Sequence, residues 1–123
     1  MLKSYLISLV VLVAMDLSWV GVIAKDFYVS RLGEMILPFP KIIPLLIFYA
    51  LAVFCINYFA VSSTKSLSEA CFRGFLLGLL AYGTYDLTNL ATLKNFPMDL
   101  AVVDALWGGV LFGVNALVVK YFI

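Results

Sequence analysis

The stretch Ser4–Ala24, SYLISLVVLVAMDLSWVGVIA, decides the fold class of this chain. It is 21 residues long and carries one charged side chain, Asp16. The hydrocarbon core of a bilayer is about 30 Å thick, and a helix needs about 20 apolar residues to cross it. Because a helix satisfies its own backbone polar groups, it is stable in lipid. The stretch therefore predicts a transmembrane helix.

Three further apolar stretches have the length of a membrane span. They cover residues 42–60, 67–93 and 100–121, and with the first stretch at 4–24 they leave no room for another domain. The pattern Ser66-x-x-Glu69 is a capping box that indicates a helix beginning at Leu67, and Pro97 precedes the last helix. We predict an all-α integral membrane four-transmembrane-helix bundle, with residues 1–123 as a single membrane domain.

The composition excludes several function classes. Hydrophobic residues make up 65% of the chain and charged residues 12%, so a soluble globular domain is excluded. The net charge is +1, which gives no basic surface for a nucleic acid. Histidine is absent, which removes His-based catalysis and His-ligated metals. We expect no metal and no cofactor, and we expect membrane lipids as neighbours.

The connection between the first two stretches carries its own helical pattern. Tyr28, Leu32, Met35 and Ile36 recur at helical spacing, and Pro38 follows them. This pattern predicts a short amphipathic segment lying in the membrane interface. We assign Tyr28 to the aromatic belt at that interface.

Loop charges give little information about orientation. Each side of the predicted bundle carries four cationic residues, Lys3, Lys65, Arg73 and Lys120 on the side of the termini and Lys25, Arg31, Lys41 and Lys94 on the far side. Since the positive-inside rule needs an imbalance, it decides almost nothing here. The terminal amine and the small charge of the third loop favour cytoplasmic termini.

Three aspartates fall inside predicted spans. Asp16, Asp86 and Asp104 each cost about 2.5–3.5 kcal/mol at a helix centre, and less near an interface. Counting residues from the helix ends places all three in the half of the bilayer away from the termini. We therefore predict that they share one polar site. Because packed acids repel one another, we expect at least one to hold a proton near neutral pH.

The first and last spans contain related segments around two of these acids. Asp16-Leu-Ser-Trp19-Val-Gly-Val and Asp104-Ala-Leu-Trp107-Gly-Gly-Val both read D-x-x-W-x-G-V. These two spans run antiparallel, so each Asp lies near the depth of the other helix's Trp. An indole N–H can donate to the opposite carboxylate, which predicts two reciprocal hydrogen bonds.

The third span has the richest polar face. Tyr82, Tyr85, Asp86 and Asn89 follow i, i+3, i+4, i+7 spacing, which predicts one stripe directed into the bundle. One interpretation is a closed hydrogen-bond network that fixes helix register. The other is a ligand cavity, which we favour because three acids exceed what register requires. The candidate site is Asp16, Trp19, Tyr82, Tyr85, Asp86, Asn89, Asp104 and Trp107.

Small residues lie at four-residue spacing on the last two spans. Gly74 with Gly78, and Gly109 with Gly113, form patterns that allow helix backbones to approach closely. We expect them to pack helix against helix within one chain. A homodimer formed through Gly74/Gly78 or Gly109/Gly113 is the alternative.

Most of the chain resembles the bacterial membrane family known as domain of unknown function 2177. The resemblance rests on the run from Tyr82 to Lys94, on Pro97, on Val103-Asp-Ala-Leu-Trp-Gly108 and on the opening Asp16-x-x-Trp19-x-Gly. It implies a small four-span protein of the bacterial inner membrane without an assigned activity. The family's signature residues fall on Asp16, Trp19, Tyr85, Asp86, Asn89, Asp104 and Trp107.

Three function classes remain open. An acidic and aromatic pocket favours a small cationic or amphipathic, lipid-like ligand. A proton-coupled transporter is the second class. Small multidrug-resistance antiporters, which exchange protons for cations at a helix-one carboxylate, are similar in outline, but here that carboxylate is Asp16 rather than Glu and its neighbours differ. An enzyme that acts on a membrane lipid is the third class, and a purely structural polar network or a lipid-modifying accessory protein is the further alternative. No nucleophile with an activating partner and no phosphate loop is present, so an enzyme is the least favoured interpretation.

Overall fold

The computed structural model describes residues 2–123, and Met1 lies outside the described part. Every regular element in that part is helical, which confirms the all-α prediction. Five α-helices follow one another along the chain: α1 Leu2–Ser18, α2 Lys25–Leu32, α3 Ile42–Cys55, α4 Leu67–Thr92 and α5 Met98–Phe122.

Two of the helices end in a π-helical segment. Residues Trp19–Ile23 continue α1, and the Ala24 N–H donates to the Trp19 carbonyl at 2.7 Å. Residues Ile56–Val61 continue α3 in the same way. A π-helical turn holds an extra residue and therefore changes which side chains face the neighbours, and such turns are frequent at functional sites. One of them begins at Trp19, a candidate site residue.

Within residues 2–123, three helical segments are long and apolar enough to cross a membrane: Leu2–Ile23, Ile42–Val61 and Met98–Phe122. They match three of the four predicted spans. Helix α4 has 26 residues but is less hydrophobic, because Tyr, Asp, Asn and Thr side chains occupy its last turns. Four helices therefore have the length predicted for a span, and three of these four are also apolar enough to cross a membrane.

The largest helix interface joins α4 to α5. On α4 the line that meets α5 follows strict four-residue steps, Gly74, Gly78, Tyr82 and Asp86. A Cβ at Gly78 would lie 2.0 Å from the carbonyl oxygen of Gly108, so the two backbones touch. Such contacts along i±4 rows are typical of small-residue helix pairs in membranes. These glycines therefore pack helix against helix within one chain, as predicted.

A buried polar link ties α1 to α5. The Ser8 hydroxyl donates to Asn115 Oδ1 at 2.7 Å, and Asn115 Nδ2 donates to the Ser8 carbonyl at 2.8 Å. Both residues are fully buried, next to Leu12 and Leu111. Each polar group of this pair has its partner inside the protein, as a buried amide requires.

The predicted helix in the first connection exists but is shorter than expected. Helix α2 ends at Gly33, whose φ of +56° few residues other than glycine adopt. The α-helix stops there, and a 3₁₀ turn over Gly33–Met35 follows it before Pro38. Arg31 Nε donates to Asp99 Oδ2 at 2.7 Å, so α2 is tied to the first turn of α5. The connection therefore folds back over the bundle end where the candidate site lies.

Candidate functional site

Asp16 on α1 is held by two aromatic donors from different helices. The Tyr49 hydroxyl of α3 donates to Oδ2 at 2.8 Å, and the Trp107 indole of α5 donates to Oδ1 at 3.2 Å. One of the two reciprocal hydrogen bonds predicted from the repeated segments is thereby confirmed. A carboxylate is an acceptor with two oxygens, and here each oxygen has a donor.

Asp104 is reached from Trp19 through an intermediate side chain. The Tyr28 hydroxyl donates to Asp104 Oδ1 at 2.5 Å, and the Trp19 indole donates to the Tyr28 oxygen at 3.1 Å. The predicted direct bond from Trp19 to Asp104 is therefore wrong, because Tyr28 lies between them. Burial and the hydrogen bond to Asp104 raise the pKa of the Tyr28 hydroxyl, so Tyr28 stays a donor at neutral pH.

The two indoles stack on each other and join the two halves of the site. The ring centroids of Trp19 and Trp107 are 4.6 Å apart, with 10° between the ring planes. This arrangement follows from the antiparallel course of α1 and α5, which places the two Trp residues of the repeated segments at one depth. The stack, the two tyrosines and the two carboxylates form one connected polar cluster across four helices.

Asp86 on α4 differs from the other two acids. Its side chain is fully buried, and neither carboxyl oxygen accepts a hydrogen bond from any donor in residues 2–123. Its carboxyl group is a neighbour of the carboxyl group of Asp104 on α5. A bond between two carboxyl groups needs a proton on one of them.

A cleft of about 500 Å³ opens beside the acids. It lies between the first part of α3 and the last turns of α4, where these two helices make few contacts. Asp16 and Asp104 line it together with apolar and aromatic side chains, namely Leu45, Phe48, Ala81, Tyr82 and Tyr85. Both acids are half-buried, so they border the cleft as well as the cluster.

The predicted stripe on α4 is divided by the packing. Asp86 points into the bundle, and Tyr82 packs against Gly108 and Phe112 of α5. Tyr85 is 54% exposed at the mouth of the cleft, where its ring makes an edge contact with Phe96. The prediction that Tyr85 points into the bundle is therefore wrong. Asn89 is half-buried on the same side of α4 as Tyr85. Tyr85 is exposed because the residues of α4 that meet α5 lie four positions apart and Asp86 is one of them. Tyr85, one position earlier, points about 100° away from Asp86.

Two tyrosines of the cluster, Tyr28 and Tyr49, were not predicted from the sequence as site residues. Tyr28 is only 8% exposed and belongs to the site rather than to an interfacial belt. Tyr49 is 6% exposed, and no motif in the sequence singles it out. A signal for Tyr28 does exist, because the helical spacing of Tyr28 with Leu32 already predicts a helix that can pack back on the bundle. Tyr49 lies in a run of apolar residues that any span would show.

These helices and their buried polar cluster define a small multi-pass membrane protein. The family model described as predicted membrane protein (DUF2177) matches residues 1–121, so the chain belongs to that family. No curated protein matches the chain, and no solved structure matches it. The match shows the family that the sequence resembles, and the family description states no activity.

Replacing Tyr28 by Phe tests the link between Trp19 and Asp104. Tyr28→Phe removes the donor to Asp104 Oδ1 and the acceptor of the Trp19 N–H. We expect the free energy of unfolding to fall by about 1–3 kcal/mol, the cost of leaving buried polar groups unsatisfied. Thermal unfolding in detergent micelles measures the change. Tyr121→Phe, at an exposed position, is the control. Equal melting temperatures for the two variants would contradict the link.

Proposed function

We propose that the protein binds a small cationic, amphipathic molecule in the cleft between α3 and α4. The observation that carries the proposal is that Asp16 and Asp104, from two different helices, border the same cleft. Aromatic rings form much of the remaining wall, and no Lys or Arg of the described part of the chain lines it. A carboxylate and an aromatic face both attract a cation, and they do so most strongly away from water.

The size and the apolar wall of the cleft favour a molecule with an apolar body. Ligand pockets usually have volumes of about 300–1,000 Å³ and a few placed polar groups on an apolar lining. The cleft of about 500 Å³ falls within that range, and its polar groups are the two acids and the tyrosine hydroxyls. A lipid-like amine or a quaternary ammonium compound has this combination of charge and apolar surface.

Helix α4 crosses the membrane as a fourth span in this proposal. It runs antiparallel to α5 and contacts it from Gly74, beside Ala116, to Asp86, beside Asp104. Because α5 is long and apolar enough to span, a helix packed along it occupies the same depth. Its 26 residues correspond to about 39 Å at 1.5 Å per residue, which exceeds the bilayer core. The short helix α2 then lies at the interface on the far side.

Labelling from the two sides of the membrane tests the fourth span. Single cysteines from Ser66→Cys and Asn95→Cys, placed just outside the two ends of α4, are made with Cys55 and Cys71 replaced by Ala. We expect a membrane-impermeant maleimide to label residues 66 and 95 from opposite sides of sealed vesicles. Labelling of both from one side would show that α4 does not cross.

The location follows from the same proposal. The resemblance of the sequence supports the inner membrane of a bacterium, with membrane lipids around the bundle. The terminal amine and the small charge of the third loop favour cytoplasmic termini. Gly109 and Gly113 also border a groove of about 430 Å³ on the outer side of the α4–α5 pair. A homodimer formed through that glycine pattern would bury this groove.

Binding of tetraphenylphosphonium tests the proposed function. This apolar cation has no group that titrates, so any dependence of its binding on pH comes from the protein. We expect saturable binding at one site per chain, measured by isothermal titration calorimetry in detergent at pH 7. Asp26→Asn removes an exposed carboxylate outside the cleft and should leave the Kd unchanged. No saturable binding, or equal binding of the uncharged analogue tetraphenylmethane, would overturn the proposal.

A further inference from the structure

Asp86 is the most deeply buried acid, yet its carboxyl group has no hydrogen-bond donor within the described part of the chain. Its side chain is 0% exposed, and both of its oxygens lack a hydrogen-bond donor in residues 2–123. An ionised carboxylate left in this state in an apolar environment is very costly. The proposed function uses Asp16 and Asp104 and leaves Asp86 without a role.

The groups that face Asp86 are themselves acids or phenols. Asp104 of α5 is its direct neighbour, Tyr28 of α2 lies on the other side of Asp104, and Tyr85 is adjacent on α4. Asp16 of α1 and Tyr49 of α3 are bonded to each other on the far side of the site. Of the two cations of α2, Arg31 is paired with Asp99 instead, and Lys25 is exposed. Among residues 2–123, no cationic side chain is paired with Asp86 or Asp104.

We infer that Asp86 and Asp104 share one proton in the empty site, and that a cation bound at Asp104 displaces it. This inference rests on the proposed function and adds a coupling between the ligand and protons. Two carboxylates in contact cannot both ionise at low cost, so one proton between them satisfies both groups. When a monovalent cation enters beside Asp104, its charge replaces that of the proton.

The exchange balances in charge and in atoms. One cation enters and one proton leaves, so the net charge of the site inside the membrane is unchanged. The proton leaves the hydrogen bond between Asp86 and Asp104 and passes to water or buffer, and no bond of the ligand breaks. Keeping the charge constant avoids the cost of an added charge within the bilayer.

The coupling has a thermodynamic consequence that can be measured. If cation binding releases a proton, protons weaken cation binding by the same factor. Below the pH at which the pair loses its proton, the Kd should rise about tenfold for each unit of pH decrease. Above that pH the Kd should become constant. Asp86→Asn removes the shared proton, so its Kd should not follow pH in this way.

The first part of the test needs no ligand. Infrared spectra of the wild-type protein at pH 7 should show the carbonyl stretch of a protonated carboxyl group, and Asp86→Asn should lack it. Asp26→Asn, which removes an exposed acid, should keep the band. A wild-type spectrum without the band would overturn the inference, whatever the protein binds. Because Asn has nearly the same shape as Asp, the variant is expected to fold, and its thermal unfolding confirms this.

The second part counts protons during binding. Titration with tetraphenylphosphonium in two buffers of different ionisation enthalpy gives the number of protons released, which should approach one per cation at low pH for wild type and zero for Asp86→Asn. Binding by the wild type without proton release overturns the exchange and leaves the proposed function standing. Absence of binding overturns both. Release that persists in Asp86→Asn overturns the assignment to this pair.

Discussion

Gly78→Ala should cause the largest loss of stability of any glycine-to-alanine substitution in this chain. The new Cβ would lie 2.0 Å from the Gly108 carbonyl oxygen and 2.6 Å from its carbonyl carbon, which are rigid backbone atoms. The two helices would have to move apart along their main interface. We expect the free energy of unfolding to fall by about 2–3 kcal/mol, as for overpacked cores. Thermal unfolding in detergent, followed by circular dichroism, measures it.

The matched control is the same substitution five residues later on the same helix. At Gly83 a Cβ would have only the end of the Leu87 side chain nearby, at 3.8 Å. Gly83→Ala should therefore stabilise the protein by about 0.5–1 kcal/mol, because alanine loses less backbone entropy in a helix. The two variants are expected to shift the melting temperature in opposite directions. A shift of the same sign and size for both would contradict the α4–α5 contact.

Removing both carboxylates that line the cleft should abolish cation binding. Asp16→Asn and Asp104→Asn each replace a charged acceptor by a neutral amide of similar shape. A hydrogen bond or ion pair to a charged group contributes about 1.5–3 kcal/mol, so each substitution should raise the Kd of tetraphenylphosphonium roughly tenfold to a hundredfold. The double variant should show no saturable binding. Isothermal titration calorimetry measures all three.

Folding must be separated from binding in these variants. Asp16 accepts bonds from Tyr49 and Trp107, so Asp16→Asn changes the polar cluster as well as the cleft. Far-ultraviolet circular dichroism and the melting temperature report the fold, and Phe48→Leu removes an aromatic wall without removing charge. A stable double variant that binds as tightly as wild type would mean that the acids form a structural network only.

The spans could be predicted because lipid imposes a simple rule. A run of about 20 apolar residues is readable in the sequence without knowledge of the partners, and Leu2–Ile23 and Ile42–Val61 follow it closely. The bond from Trp107 to Asp16 could also be predicted, since antiparallel helices with the same motif bring these residues to one depth. Helix α4 begins at Leu67, where the capping box places it, and the Glu69 N–H donates to the Ser66 hydroxyl.

The details of the site depend on contacts that the sequence pattern does not encode. Tyr28 belongs to the cluster because α2 folds back on α5. The ion pair of Arg31 with Asp99 ties α2 to α5, and these two residues lie far apart in the chain. Tyr85 points outward because the residues of α4 that contact α5, among them Gly78 and Tyr82, are spaced four positions apart and do not include it. Helical periodicity alone allows either Tyr82 or Tyr85 to be central, and only the position of α5 decides between them.

Photo-crosslinking with a diazirine-bearing quaternary ammonium probe tests the central claim most directly, because it reports where a cation binds. The account predicts adducts on residues of both cleft walls, Leu45 and Phe48 of α3 and Ala81 and Tyr85 of α4, and it predicts that excess tetraphenylphosphonium removes them. Adducts confined to another surface, such as the groove beside Tyr5 and Tyr58, or adducts unaffected by the competitor, would contradict a cation site at Asp16 and Asp104.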